Sequence, residues 1–127
     1  MDQFPRLFSR AEANSLLEDL QPLINQMMTG REKILELRPD LEPVLDKALG
    51  NGASQETPEA LEAFTRVKAA IESIQGHGVL VKDVNSGLLD FPAEREGRVV
   101  FLCWRIGESS VDHWHELDEG FAGRHPL

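Results

Sequence analysis

The chain carries one cysteine in 127 residues, so no internal disulfide can hold it together. A lone thiol suits a reducing compartment and excludes a disulfide-stapled secreted domain, so the expected location is the cytoplasm. No apolar run approaches the roughly 20 residues that span a bilayer, and no membrane segment is expected. The opening Met1-Asp2-Gln3-Phe4-Pro5 lacks the basic start and apolar stretch of a secretory signal. Basic residues are scarce, 13 against 22 acidic ones, giving a net charge of −9. Such a chain has no field to gather phosphates, which argues against a nucleic-acid partner. There is no internal repeat, no low-complexity tract, no His-Glu-x-x-His, no cysteine pair and no Gly-x-Ser-x-Gly elbow.

What is present divides near Gly76. Hydrophobic residues at 41% and charged residues at 28% are globular values, and the length suits a single domain, 1–127. Residues 1–75 read as helical. Residues 76–127 hold both tryptophans and most of the glycines and read as a β-rich module.

Ser9 and Glu12 stand at capping-box spacing, so each can satisfy the other's backbone amide at a helix start. Leu16, Leu20, Leu23, Ile24, Met27 and Met28 then recur at helical spacing. Pro22 lies inside this stripe and predicts a kink, and Gly30 weakens the helix before Ile34, Leu35 and Leu37 continue it. Arg38-Pro39 is a stop. Asp40 and Pro43 start a short helix over 41–49, followed by a loop at Gly50-Asn51-Gly52-Ala53-Ser54. Thr57-Pro58 opens another amphipathic helix through Leu61, Phe64, Val67, Ile71 and Ile74, closed by Gly76 and Gly78.

From Val79 the period changes. Val79-Leu80-Val81 reads as a strand, Asn85-Ser86-Gly87 as a turn, and Leu88-Leu89-Asp90-Phe91 as a strand stopped by Pro92. Glu94-Arg95-Glu96-Gly97 is a polar loop before Val99–Ile106, which is apolar on both faces and therefore central. The expected fold class is α+β, with long antiparallel helices followed by a small antiparallel β-sheet module.

Several stretches together carry a resemblance. They are Phe8 to Asn14, Val81-Lys82-Asp83, Gly87 to Pro92, Leu102 to Glu108, Trp114-His115 and Gly120 to Arg124. In these the chain resembles the small bacterial proteins catalogued as domain of unknown function 2203. The resemblance implies a small cytoplasmic protein and no defined chemistry.

Chemistry must then be sought in the residues. Glu108, Asp112, Glu116, Asp118 and Glu119 crowd one window without a lysine or arginine, and His113 and His115 sit among them. Carboxylates beside neutral imidazoles suit a divalent metal such as zinc, iron or manganese, or else a solvated acidic face. With 110–119 taken as a helical turn, His115 shares a face with Asp118 and Glu119, His113 projects elsewhere, and Val111, Trp114 and Leu117 pack opposite. The expected metal ligands are Glu108, His115 and Asp118.

Cys103 reads as a buried thiol, with metal ligation or nucleophilic attack as its functional alternatives. Asp83 is expected to cap the turn at 85–87, and Asp90 to pair with Arg98 or Arg105 across the sheet. Acid–base work is the alternative for these two carboxylates. Arg124 follows two glycines, in a turn that carries Phe121 inward or binds an anion. Two functions remain open. One is a homodimeric structural or interaction module, its dimer built through a helical stripe too wide for one partner and its partner surface lined by Trp104, Trp114 and Phe121. The other is a metal-binding protein or metal-dependent enzyme using the 108–119 cluster.

Overall fold

Ser9 accepts from the Glu12 amide at 3.0 Å while the Glu12 carboxylate accepts from the Ser9 amide at 2.8 Å. This capping box opens α1, Arg10–Leu37, in the computed structural model, which describes residues 3–51 and 56–127. Helix α1 continues through Pro22, which lies on its exposed side. A 3₁₀ segment, Pro39–Val44, leads into the short α2, Leu45–Gly50. Residues 52–54 of the expected loop fall outside the described residues. Thr57 caps α3, Pro58–Gly76, by accepting from the Ala60 amide at 3.2 Å.

Helices α1 and α3 run antiparallel. Lys33 meets Glu59 at 2.7 Å, and Gln26 donates to the Arg66 carbonyl at 3.0 Å. Gly30 faces α3 at close quarters, where a Cβ would come within 2.6 Å of Val67 Cγ2 and 3.5 Å of the Ala63 carbonyl oxygen. The glycine therefore sets the spacing of the two helices instead of merely weakening one of them.

The C-terminal part is a five-stranded antiparallel meander in chain order. Its strands are β1 Leu80–Asp83, β2 Leu88–Arg95, β3 Arg98–Arg105, β4 His113–His115 and β5 His125–Pro126. Strand β2 does not stop at Pro92. Beyond Asp90 it has no partner in β1, so the amide that proline lacks is not missed. The Pro92 carbonyl on that border accepts from the Phe8 amide at 2.7 Å. The β2–β3 turn is tighter than the sequence suggested. Arg95 pairs with Arg98, and the two turn residues Glu96 and Gly97 both have positive φ, 53° and 79°.

Alternation along the strands gives the sheet two unlike faces. Leu89, Phe91, Ala93, Val100, Leu102 and Trp104 join Leu16, Leu17, Leu20, Ile24, Met27 and Ile34 in one apolar core beneath the helices. Most of the helical stripe that suggested a dimer seam is thus covered inside the chain, with Leu23, Met28 and Leu35 half-buried against the core. The opposite face carries Asp90, Phe101, Cys103, His113 and His115. No described helix is long and apolar enough to cross a membrane.

Candidate metal centre

The site is built by register. Two residues in the β2–β3 turn set Asp90 opposite Cys103, and the β3–β4 pairing sets His113 opposite Cys103 and His115 opposite Phe101. The ligating atoms of Asp90, Cys103 and His115 all lie within 4.8 Å of one another. All three residues are buried, at 2%, 0% and 2% exposure. Phe101 packs edge-on against His115 and is itself covered by Phe4 and by the Lys82 ammonium, 4.6 Å from its ring.

His115 is oriented from both ends. Its Nδ1 lies 2.8 Å from the Glu116 carbonyl, and its Nε2 lies 3.1 Å from Asp90 Oδ1. A carbonyl only accepts, so Nδ1 carries a proton and Nε2 faces the carboxyl. The contact with Asp90 then holds one shared proton, on either the ring or the carboxyl. Burial raises the Asp90 carboxyl above the usual aspartate range, against the pull of His115, Lys82 and Cys103. Burial, with the Asp90 charge beside it, pushes the Cys103 thiol up to about 11. Arg124 Nη1 approaches the sulfur at 3.9 Å.

The expected ligand set separates. Glu108 forms a bidentate pair with Arg124 and accepts from the Arg105 amide at 2.8 Å. Arg124 holds its carboxyl below the usual range. Asp118 is exposed. Among the described residues neither joins His115 in a cluster of metal-ligand geometry. The reason is backbone conformation: His113–His115 is a strand and not a helical turn, so His113 and His115 share a face and Trp114 takes the other. Three of the five crowded acids are also offset by arginines from elsewhere in the chain. Asp112 meets Arg10, Glu116 meets Arg98 and Glu108 meets Arg124.

The remaining candidates take ordinary places. Asp83 caps its turn, accepting from the Ser86 amide at 3.2 Å and the Ser86 hydroxyl at 2.6 Å. Asp90 pairs with His115 rather than Arg98 or Arg105. Trp104 is buried in the helix-side core and donates to the Glu108 carbonyl at 3.0 Å. Arg105 is exposed, and its guanidinium lies 4.6 Å from the Phe121 ring, which Arg124 also covers. Trp114 is half-buried, beside His125 and beneath Arg95 and Arg98. Trp104, Trp114 and Phe121 therefore do not line one surface.

No curated protein and no solved structure matches the chain. One family model does, over residues 6–127 and with the description "Uncharacterized conserved protein (DUF2203)". That match covers nearly the whole chain, and the protein belongs to this family.

Proposed function

We propose that this protein binds a divalent metal ion of the zinc class through Asp90 Oδ, Cys103 Sγ and His115 Nε2. The observation that carries the reading is the orientation of His115. Its Nδ1 is held by the Glu116 carbonyl, which is how a protein fixes a metal-ligating imidazole, and its Nε2 faces the Asp90 carboxyl, with the Cys103 thiol in the same cluster. A tetrahedral ion with bonds of about 2.0–2.3 Å keeps its ligands roughly 3.3–3.8 Å apart, so the trio needs only small adjustments. The thiolate favours zinc over manganese.

Charge supports the same reading. Thiolate and carboxylate together neutralise a divalent ion, and Glu108 already neutralises Arg124. Loading the site exchanges the thiol proton and the shared Asp90–His115 proton for the ion, so the buried cluster stays neutral throughout. The homodimeric interaction module has less support, because most of the helical stripe is covered within the chain.

The test is metal analysis of protein purified without chelator, followed by zinc titration of the stripped protein. Stoichiometric retention that is lost in Cys103→Ser and His115→Ala is the expected result. Protein that arrives metal-free, takes up no zinc and shows no zinc-dependent rise in Tm would overturn the proposal and leave Asp90–His115 as a structural hydrogen bond.

A further inference from the structure

Three protein ligands leave a tetrahedral ion one position short. The same sheet face offers a fourth nitrogen. His113 stands directly across from Cys103 in the β3–β4 register, two residues before His115 on the same strand. Both imidazoles therefore leave the sheet on the side of the cluster, and Trp114 between them leaves on the other. The Nδ1 atom of His113 is buried and has no hydrogen-bond partner. Among the described residues only one other side-chain nitrogen or oxygen, Arg95 Nε, is in that condition. A buried polar atom without a partner is costly, and native structures seldom keep one without a use. Its polar neighbours do not relieve it. Glu108, whose carboxyl senses the His113 ring, is already held by Arg124 and the Arg105 amide, and Asp112 is held by Ser110 and Arg10.

We propose that His113 Nδ1 is the fourth ligand, closing a coordination sphere of Asp90, Cys103, His113 and His115. The inference rests on the metal reading given above and adds to it. His113 lies outside the group of atoms within 4.8 Å of one another, so its ring must rotate inward on loading. Side chains directly opposite on antiparallel strands have Cβ atoms about 4.5–5.5 Å apart, which puts the ring within reach of an ion on Cys103. A site closed by four protein ligands has no place for a reactive water. The ion is then a structural clip that fastens β4 to β2 and β3, and the protein is not a metal-dependent hydrolase at this centre.

Cobalt(II) titration of the full-length chain tests this, with azide as an outside ligand. Wild-type protein should show an intense tetrahedral cobalt spectrum that azide does not change. His113→Ala and His113→Gln should bind cobalt at least about tenfold more weakly. Azide should shift their spectra by filling the opened position. An azide shift in the wild type overturns the inference without recourse to any variant. So does tight cobalt binding with an unchanged spectrum in the His113 variants while Cys103→Ser abolishes uptake, and in that case the three-ligand reading survives. Wild-type protein that takes up no cobalt removes both.

Discussion

Asp90 and His115 meet at 3.1 Å inside the sheet, 25 residues apart in the chain, with almost no access to water. Their contact separates two properties that mutation usually confounds. In Asp90→Asn the amide can still donate to Nε2, whose ring keeps its proton on Nδ1. The fold should therefore hold, while a neutral amide in place of the carboxylate should end metal retention. Asp90→Ala instead leaves Nε2 buried and unpaired, at a cost of about 1–3 kcal/mol. Urea denaturation with and without zinc reads both outcomes. An Asp90→Asn protein that still gains stability from zinc would contradict the ligand assignment.

The Glu108–Arg124 pair predicts an acid-sensitive contribution to stability. Glu108 titrates in the folded protein below its ordinary value of 4.5, chiefly because of Arg124. A depressed folded pKa contributes stability above the unfolded value that is lost as pH falls through the folded one. Glu108→Gln should thus lower Tm at neutral pH, and the gap from wild type should close as pH drops below about 4.5. A gap that stays constant down to pH 3 would mean that the pair contributes packing and not charge.

Gly30→Ala should destabilise the protein even though alanine is the better helix former. The propensity gain is about 1 kcal/mol. Against it stands a Cβ within 2.6 Å of Val67 Cγ2, on a β-branched side chain that has essentially one rotamer in a helix. Overpacking of this kind costs about 1–3 kcal/mol. Chemical denaturation should show a net loss, largely relieved in the double variant Gly30→Ala/Val67→Ala relative to Val67→Ala alone.

The two tryptophans should respond unequally to truncation. Trp104 is 2% exposed within the apolar core, and Trp104→Ala should cost about 3–5 kcal/mol. Trp114 is half-buried at the margin of the core, with Arg95, Arg98 and His125 against its ring, so Trp114→Ala should cost clearly less. Equal losses in melting experiments would show that the strand β4 surface is as tightly packed as the core.

Cys103 should resist thiol reagents. The thiolate is the reactive form, and here the thiol is fully buried and raised to about 11. Labelling by an aromatic disulfide at pH 8 should follow the rate of opening and should slow further in zinc-loaded protein. Immediate labelling of the native protein would show that the face opposite the helices is open.

The helices were legible because their signals are local. Ser9 with Glu12, Thr57 with Pro58, and the 3.6-residue stripe are all short-range patterns. The site was not legible because it depends on pairing. Placing the β2–β3 loop at Glu94–Gly97 leaves the register loose. Recognising Glu96-Gly97 as a two-residue turn and counting pairs outward puts Asp90 against Cys103. The window after Glu108 misled in a second way. Glu108, Asp112 and Glu116 are neutralised by Arg124, Arg10 and Arg98, which lie outside the window, so charge density along the chain did not reflect charge in space. His113-Trp114-His115 carried the missing clue, a polar–aromatic–polar alternation of period 2.

The proline at position 92 has a consequence for how molecules of this protein meet. Sheet borders recruit other strands when their amides and carbonyls are free. Past Asp90, β2 presents a residue with no amide, and its carbonyl is already taken by Phe8. The outermost strands offer little more. β1 is four residues long with an irregularity between Val81 and Asp83, and β5 is two residues long and ends in Pro126. The fold therefore resists extension of its sheet by neighbouring copies at high concentration. Trimming the chain through Phe8 would uncover the Pro92 carbonyl and remove part of that protection.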